Sequence, residues 1–274
     1  MNLENILKQV ERNIIKIGKT IREIREYYTG DAKNLIHEIK EDGTLFTVGD
    51  QVSNTFLKNY LQEHTPHFGF FGEETLDGEI KEYTWICDPL DGTSAWINNE
   101  SKYVISLALR EKNKIIGGVI YNPKTEECFV SYDGAAPQYN GRNLEQITTA
   151  NMSEATVNVH ISAKKERERR IVTQLKEEGK IKVIVETGGS VAYRLAQVAK
   201  GEHHLFLNHH RKGSGIWDVA AGIHLVQSVG GKVTGGDGDL FEDSQQPECM
   251  IAAANSSLHS QLYALLREKA YFSK

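Results

Sequence analysis

The hydrophobic period changes twice along this chain, and those changes limit the fold more than any other feature. From Leu3 to about Tyr28, Ile6, Val10, Ile14, Ile17, Ile21 and Ile24 recur at three- and four-residue spacing, which predicts a helix with one buried face. The segment IKEDGTLFTVGDQVSN combines a turn signal at Asp42-Gly43 with a short polar strand and leads into a second amphipathic helix through Phe56, Tyr60 and Leu61. Beyond Pro66 come short β-type runs, HFGFFGEE, YTWICD, YVISLALRE, IIGGVIYNP and ECFVSYD, which predict a meandering antiparallel sheet. After about Arg142 strands and helices alternate, from TVNVHISA through SVAYRLAQVAKG and the WDVAAGIHLVQ helix to a last strand near CMIAAAN, which predicts an α/β region. No low-complexity linker separates residues 1–145, an α+β half, from 146–274, an α/β half, so the two are expected to share an interface.

At 274 residues and 39% hydrophobic, the chain can bury a substantial core and reads as a soluble globular protein. A formal net charge of -5 gives no general attraction for nucleic acid or an anionic membrane, so an anionic ligand must meet a local site. The charged N-terminus lacks the apolar stretch of a signal peptide, and no run is long enough to span a membrane. Three scattered cysteines, Cys87, Cys128 and Cys249, form neither a disulfide framework nor a CxxC pair; a reducing cytoplasm is the simplest compartment.

The chemistry concentrates in Trp85–Ser94, where an apolar strand runs into Asp88-Pro89-Leu90-Asp91-Gly92-Thr93-Ser94. Asp88, Asp91 and the Leu90 carbonyl are hard oxygen donors for a divalent cation, and Thr93 and Ser94 offer amides to a phosphate. Read alone, Asp-Pro and Asp-Gly are also turn formers. Glu73 and Glu74 close the strand HFGFF, and Asp218 precedes an apolar helix that it would otherwise only cap. Carboxylates from three separate segments beside a Gly-Thr helix start make up the inventory of a multi-metal phosphoryl-transfer site.

GEE at Gly72–Glu74, DPLDGTSAW at Asp88–Trp96 and WDVAAG at Trp217–Gly222 resemble, in order, the signature set of the inositol monophosphatase superfamily, the lithium-sensitive magnesium phosphomonoesterases. The resemblance implies the layered αβαβα sugar-phosphatase fold and activity with two or three Mg²⁺ ions, for which Mn²⁺ can substitute. It implies Glu73, Asp88, the Leu90 carbonyl, Asp91 and Asp218 as metal ligands, and Gly92, Thr93 and Ser94 as the phosphate site. Thr47-Val48-Gly49-Asp50 fits the family's T-x-x-D motif, so Asp50 is implied to orient the Thr93 hydroxyl, with Thr93 and Glu73 positioning the attacking water.

Substrate choice falls to the second half. Asn208 stands where inositol phosphatases place a Glu, before an expanded HHRKGSG loop, and Arg194 stands where they usually carry Asp and bacterial 3'(2'),5'-bisphosphate nucleotidases carry Lys. A cation there suits a second phosphate. The short stretch from His160 to Gly188 and, in part, Gly189-Ser190 also resemble the nucleotidase branch, so Ser190, Arg194 and Asn208 are the candidate substrate contacts. The expectation is hydrolysis of 3'-phosphoadenosine 5'-phosphate to AMP. Inositol-1-monophosphatase is the alternative, fructose-1,6-bisphosphatase stands behind it, and a binding or regulatory subunit on the same fold is the non-enzyme reading. The expected partner is a small phosphorylated substrate, with homodimerisation left open. His203, His204, His209 and His210 flank a short strand, where adjacent residues point to opposite faces, so a solvated or substrate-rim role is expected over a zinc site.

Overall fold

The computed structural model describes residues 2–41, 43–186, 188–209, 215–239 and 249–272. Asp42 of the expected turn, and His210 with the loop residues up to Ser214, lie outside the described residues.

Helix α1 (Leu3–Tyr27) buries Leu7, Val10, Ile14, Ile17 and Ile21 along one stripe, and the Asn2 side chain caps its start by accepting from the Asn5 amide at 3.0 Å. A hairpin of β1 (Ile36–Ile39) and β2 (Leu45–Thr47) then delivers the chain to α2 (Val48–His64). The first sheet contains β3 (Gly69–Gly72), β4 (Tyr83–Asp91), β5 (Val104–Glu111), β6 (Lys114–Asn122), β7 (Glu127–Tyr132), β8 (Gln138–Tyr139) and β9 (Arg142–Asn143), adjacent in that order. The short helix α3 (Thr93–Ile97) follows β4. The second sheet, of β10 (Thr156–Ile161), β11 (Val183–Glu186), β12 (Leu205–His209), β13 (Lys232–Gly235) and β14 (Met250–Ala253), runs β11-β10-β12-β14-β13. Helices α4 (Glu166–Glu177), α5 (Val191–Lys200), α6 (Ala220–Ser228) and α7 (Ser256–Glu268) complete this half.

Strand periodicity stacks these elements into five layers. Trp85, Leu107 and Val119 point from the first sheet toward α1 and α2, where Leu7, Ile14 and Leu57 meet them. Their neighbours Ile86, Ala108 and Ile120 point the other way, onto α5 and α6. Phe206 and Ala252 reach the same central layer from the second sheet, while Leu205, Leu207 and Ile251 face the outer layer of α4 and α7. Helices, sheet, helices, sheet and helices therefore alternate, as the family resemblance implies, and the central core draws on both halves of the chain.

Two features differ from the sequence-based expectation. The first sheet is not wholly antiparallel: β3 pairs with β4 in parallel, with Gly72 opposite Cys87. This close ladder requires glycine, since a Cβ on Gly72 would lie 2.1 Å from the Cys87 carbonyl oxygen. Also, β13 and α7 follow α6, although only one strand was expected there. The buried stripe Leu258, Leu262, Leu266 of α7 is a helical repeat.

Candidate active site

The parallel pairing brings β3 and β4 to an end on the same edge, so the residues that follow meet. The Glu73 amide donates to the Cys87 carbonyl at 3.1 Å, which places Glu73 beside the start of the Asp88–Asp91 segment. On a regular strand, residues three apart face opposite sides. Here the β4–β5 register slips between Asp88 and Asp91, a bulge that accommodates Pro89 and turns both carboxylates to one side. Asp218 arrives from the second half, in a single 3₁₀ turn (Ile216–Asp218) whose backbone amide donates to the Gly215 carbonyl. It does not cap α6: no side chain caps that helix. Ligand oxygens of Asp88, Asp91 and Asp218 all lie within 4.8 Å of one another.

These carboxylates are costly where they stand. Burial, reinforced by Glu73, Asp91 and Asp218, pushes Asp88 well above the usual carboxylate range, and burial with Asp91 and Glu73 does the same to Asp218. Asp88 Oδ1 accepts from the Leu90 amide at 2.9 Å, but Oδ2 is buried without a hydrogen-bond partner. A buried anionic oxygen without a donor, within reach of two further carboxylates, is what a hard divalent cation would satisfy. The donor set is oxygen only, which suits Mg²⁺ or Mn²⁺ over zinc or copper.

Asp91 is held differently. Its Oδ2 accepts from the Ser190 hydroxyl at 2.5 Å and from the Ala192 amide at 2.8 Å, so the start of α5 grips a carboxylate of the first half. Burial raises its pKa to about 6, while Ser190, Ala192 and the Arg194 charge oppose the rise. Gly92, at φ +92°, sits where the halves touch: a Cβ there would lie 2.6 Å from the Lys102 carbonyl and 3.0 Å from the Ser190 amide.

Thr47 and Asp50 form a capping box at the start of α2, the Thr47 amide donating to Asp50 Oδ2 at 2.8 Å and the Thr47 hydroxyl to the same oxygen. The other oxygen, Oδ1, lies 3.4 Å from Thr93 Oγ1, which also lies 3.1 Å from the Leu90 carbonyl; the two acceptors compete for one hydroxyl proton. Burial lifts Asp50 to about 7 against the Thr47 bonds. Thr93 and Ser94, first residues of α3, have amides with no partner inside the helix, and Ser94 is exposed.

Of the three expected substrate contacts, Arg194 and Ser190 are buried and Asn208 is half-buried. Arg194 does not reach the surface: it is 1% exposed, its guanidinium 5.5 Å above the Phe206 ring in the central core. Helix α5 packs on both sheets, so this face of the helix is interior. Ser190, also buried, spends its hydroxyl on Asp91 and caps α5 by accepting from the Tyr193 amide. Asn208 is half-buried on β12, opposite His160 and Met250, and its Oδ1 has no hydrogen-bond partner.

Of the histidine group expected to be solvated or to line a substrate rim, two of the three described members are buried and His204 is half-buried. His203 and His209 are buried, and His204 bonds the Thr156 amide and the Thr149 hydroxyl. Among the described residues only Asp88, Asp91 and Asp218 form a group able to hold a metal. Sequence reasoning passed over Lys40, whose ammonium lies 2.9 Å from Glu73 Oε1 and 2.6 Å from Glu74 Oε1. Thirty-three residues separate Lys40 from Glu73, and no local pattern marks the contact.

The model of the inositol monophosphatase family matches residues 2–271. An inositol-1-monophosphatase of Mesorhizobium japonicum is 28% identical over 270 residues, covering 96% of each chain. A Nus factor SuhB of Xylella fastidiosa is 30% identical over 230 residues, 81% of each. The crystal structure of the extragenic suppressor protein suhB from Bartonella henselae superimposes with a TM-score of 0.83 at 25% identity, over 96% of this chain and 99% of that one.

Proposed function

Since the chain belongs to the inositol monophosphatase family, we propose that its carboxylate cluster binds Mg²⁺ and hydrolyses a small polyol phosphate such as inositol 1-phosphate. That the chain is a metal-dependent phosphoric monoester hydrolase follows from the family match. The observation that carries the site assignment is the convergence of Asp88, Asp91 and Asp218 around the partnerless Asp88 Oδ2. Glu73 and the Leu90 carbonyl complete the ligand set.

When bound, two or three such ions would neutralise the phosphate, acidify the attacking water and stabilise the leaving alkoxide. The chain's own groups do the rest. The Thr93 and Ser94 amides, beside Gly92, donate to phosphate oxygens. Thr93 Oγ1 donates a hydrogen bond to the Leu90 carbonyl or to Asp50 Oδ1, which leaves its lone pairs to accept from the attacking water. Glu73 takes the second hydrogen bond of that water and aligns it with phosphorus. The capping box keeps Asp50 fixed while this happens.

The 3'-phosphoadenosine 5'-phosphate reading takes its chemical argument from Arg194 meeting a second phosphate, and the burial of that guanidinium weakens that argument. The 28% identity to an inositol-1-monophosphatase over nearly the whole length favours the simpler substrate. The test is phosphate release from inositol 1-phosphate, 3'-phosphoadenosine 5'-phosphate and fructose 1,6-bisphosphate, each with Mg²⁺ and with chelator. Inositol 1-phosphate should turn over fastest, and only with the ion. Preference for the adenosine bisphosphate would restore the nucleotidase reading, and no turnover on any phosphate monoester would favour a binding subunit.

A further inference from the structure

Lys40 stands at the tip of the β1–β2 hairpin, its amide donating to the Thr44 carbonyl and its carbonyl accepting from the Gly43 amide, both at 2.8 Å. From that fixed base its side chain reaches across to the end of β3 and bonds both carboxylates of Gly72-Glu73-Glu74. All three side chains are partly shielded, at 25% exposure for Lys40, 21% for Glu73 and 10% for Glu74. One ammonium thus serves two adjacent carboxylates, of which the more exposed is a proposed metal ligand. The two partners hold Lys40 firmly in its charged form despite the burial that opposes it. A divalent cation on Glu73 would face that ammonium at close range in a poorly screened place, where like charges repel strongly.

We propose that Lys40 is a tethered counter-cation of Glu73 that a divalent metal ion must displace, with Glu74 as the carboxylate that retains the ammonium once Glu73 is taken. The proposal rests on the reading of Glu73 as a metal ligand. In the metal-free protein Lys40 offsets the acidic edge and keeps Glu73 in place. On metal binding it withdraws to Glu74, its Coulomb attraction to Glu73 being replaced by that of an ion of twice the charge. Lys40 therefore sets the metal affinity of the site without being a ligand.

The test is calorimetric titration of Mg²⁺ into the chelator-treated protein, with melting temperatures taken in chelator and in saturating Mg²⁺. Lys40→Met should bind Mg²⁺ about tenfold more tightly than wild type, because nothing competes for Glu73. It should melt lower in chelator, with the gap closing in saturating Mg²⁺. Lys40→Arg should behave as wild type, and Lys40→Gln repeats the comparison should the methionine variant fold poorly. Unchanged or weaker Mg²⁺ binding in both neutral variants, with Glu73→Gln still weakening it, would overturn the role of Lys40. Wild-type Mg²⁺ affinity in Glu73→Gln would overturn the ligand assignment beneath it, so the two failures are told apart.

Discussion

Asp88 and Asp91 belong to one motif, yet the protein treats its two ends in opposite ways. At the Asp88 end, the first sheet supplies one amide and leaves an oxygen bare among other carboxylates. At the Asp91 end, the second half supplies a hydroxyl, an amide and a nearby guanidinium charge. The first end keeps its charge available for a ligand from outside, and the second is half-neutralised by the protein itself. Stability and function are set against each other at one end and reconciled at the other.

The sharpest way to break that contrast is to remove each charge in turn. Asp88→Asn should cost at least about 10³-fold in turnover, as the loss of a ligand for catalytic ions implies, while raising the melting temperature of the metal-free protein, because a buried uncompensated charge is gone. Asp91→Asn should lose comparable activity but raise the metal-free melting temperature less than Asp88→Asn does, because the bonds from Ser190 and Ala192 and the Arg194 charge already offset part of the cost of burying Asp91 as an anion. Calorimetric melts of both variants in chelator decide the matter; an equal or larger rise for Asp91→Asn would erase the distinction.

Saturation with Mg²⁺ at about 100 times its Kd should add about 2.7 kcal/mol to stability. This gain should vanish in Asp88→Asn, as read from melting temperature against Mg²⁺ concentration.

A gentler probe is pH. Asp50 and Asp91 have folded-state pKa values of about 7 and about 6, above the 3.8 of a free carboxyl. A raised folded pKa means that the native state holds protons the unfolded chain has released. Its contribution is complete below pH 3.8 and is lost as pH rises to about 7. Across that window, denaturant titrations without metal should show stability falling with pH at these groups, and Mg²⁺ should oppose the fall. The smallest expected effect belongs to Ser190→Ala, about 1–2 kcal/mol of stability with a severalfold loss in Mg²⁺ affinity. An unchanged melting temperature there would mean that the grip on Asp91 is decorative.

Much of this was legible in the sequence because chemistry demanded particular residues at particular spacings. The stripe of α1, the strand entering Asp88 and the Thr47-x-x-Asp50 box are local patterns, and local patterns survive in a string. What stayed hidden depends on contacts between distant segments. The bulge that turns Asp88 and Asp91 to one side has no marker beyond Pro89. Arg194 read as a contact for a second phosphate because a cation near an acidic site suggests an anionic ligand, whereas the packing of α5 between two sheets leaves that position no access to solvent. The Lys40 contact joins a hairpin tip to a strand end, and only the folded chain brings them together.

The ten residues between β3 and β4 leave the strand end and return to its beginning, so the two strands run side by side in the same direction. The spacing between Glu73 and Asp88 is thereby fixed by the backbone ladder, not by the length of the connection. Natural variation could lengthen or shorten that connection, and an engineer could graft a peptide into it near the exposed Leu76, while the reactive groups kept their separation. The arrangement frees the rim of the active site to diversify on a schedule of its own.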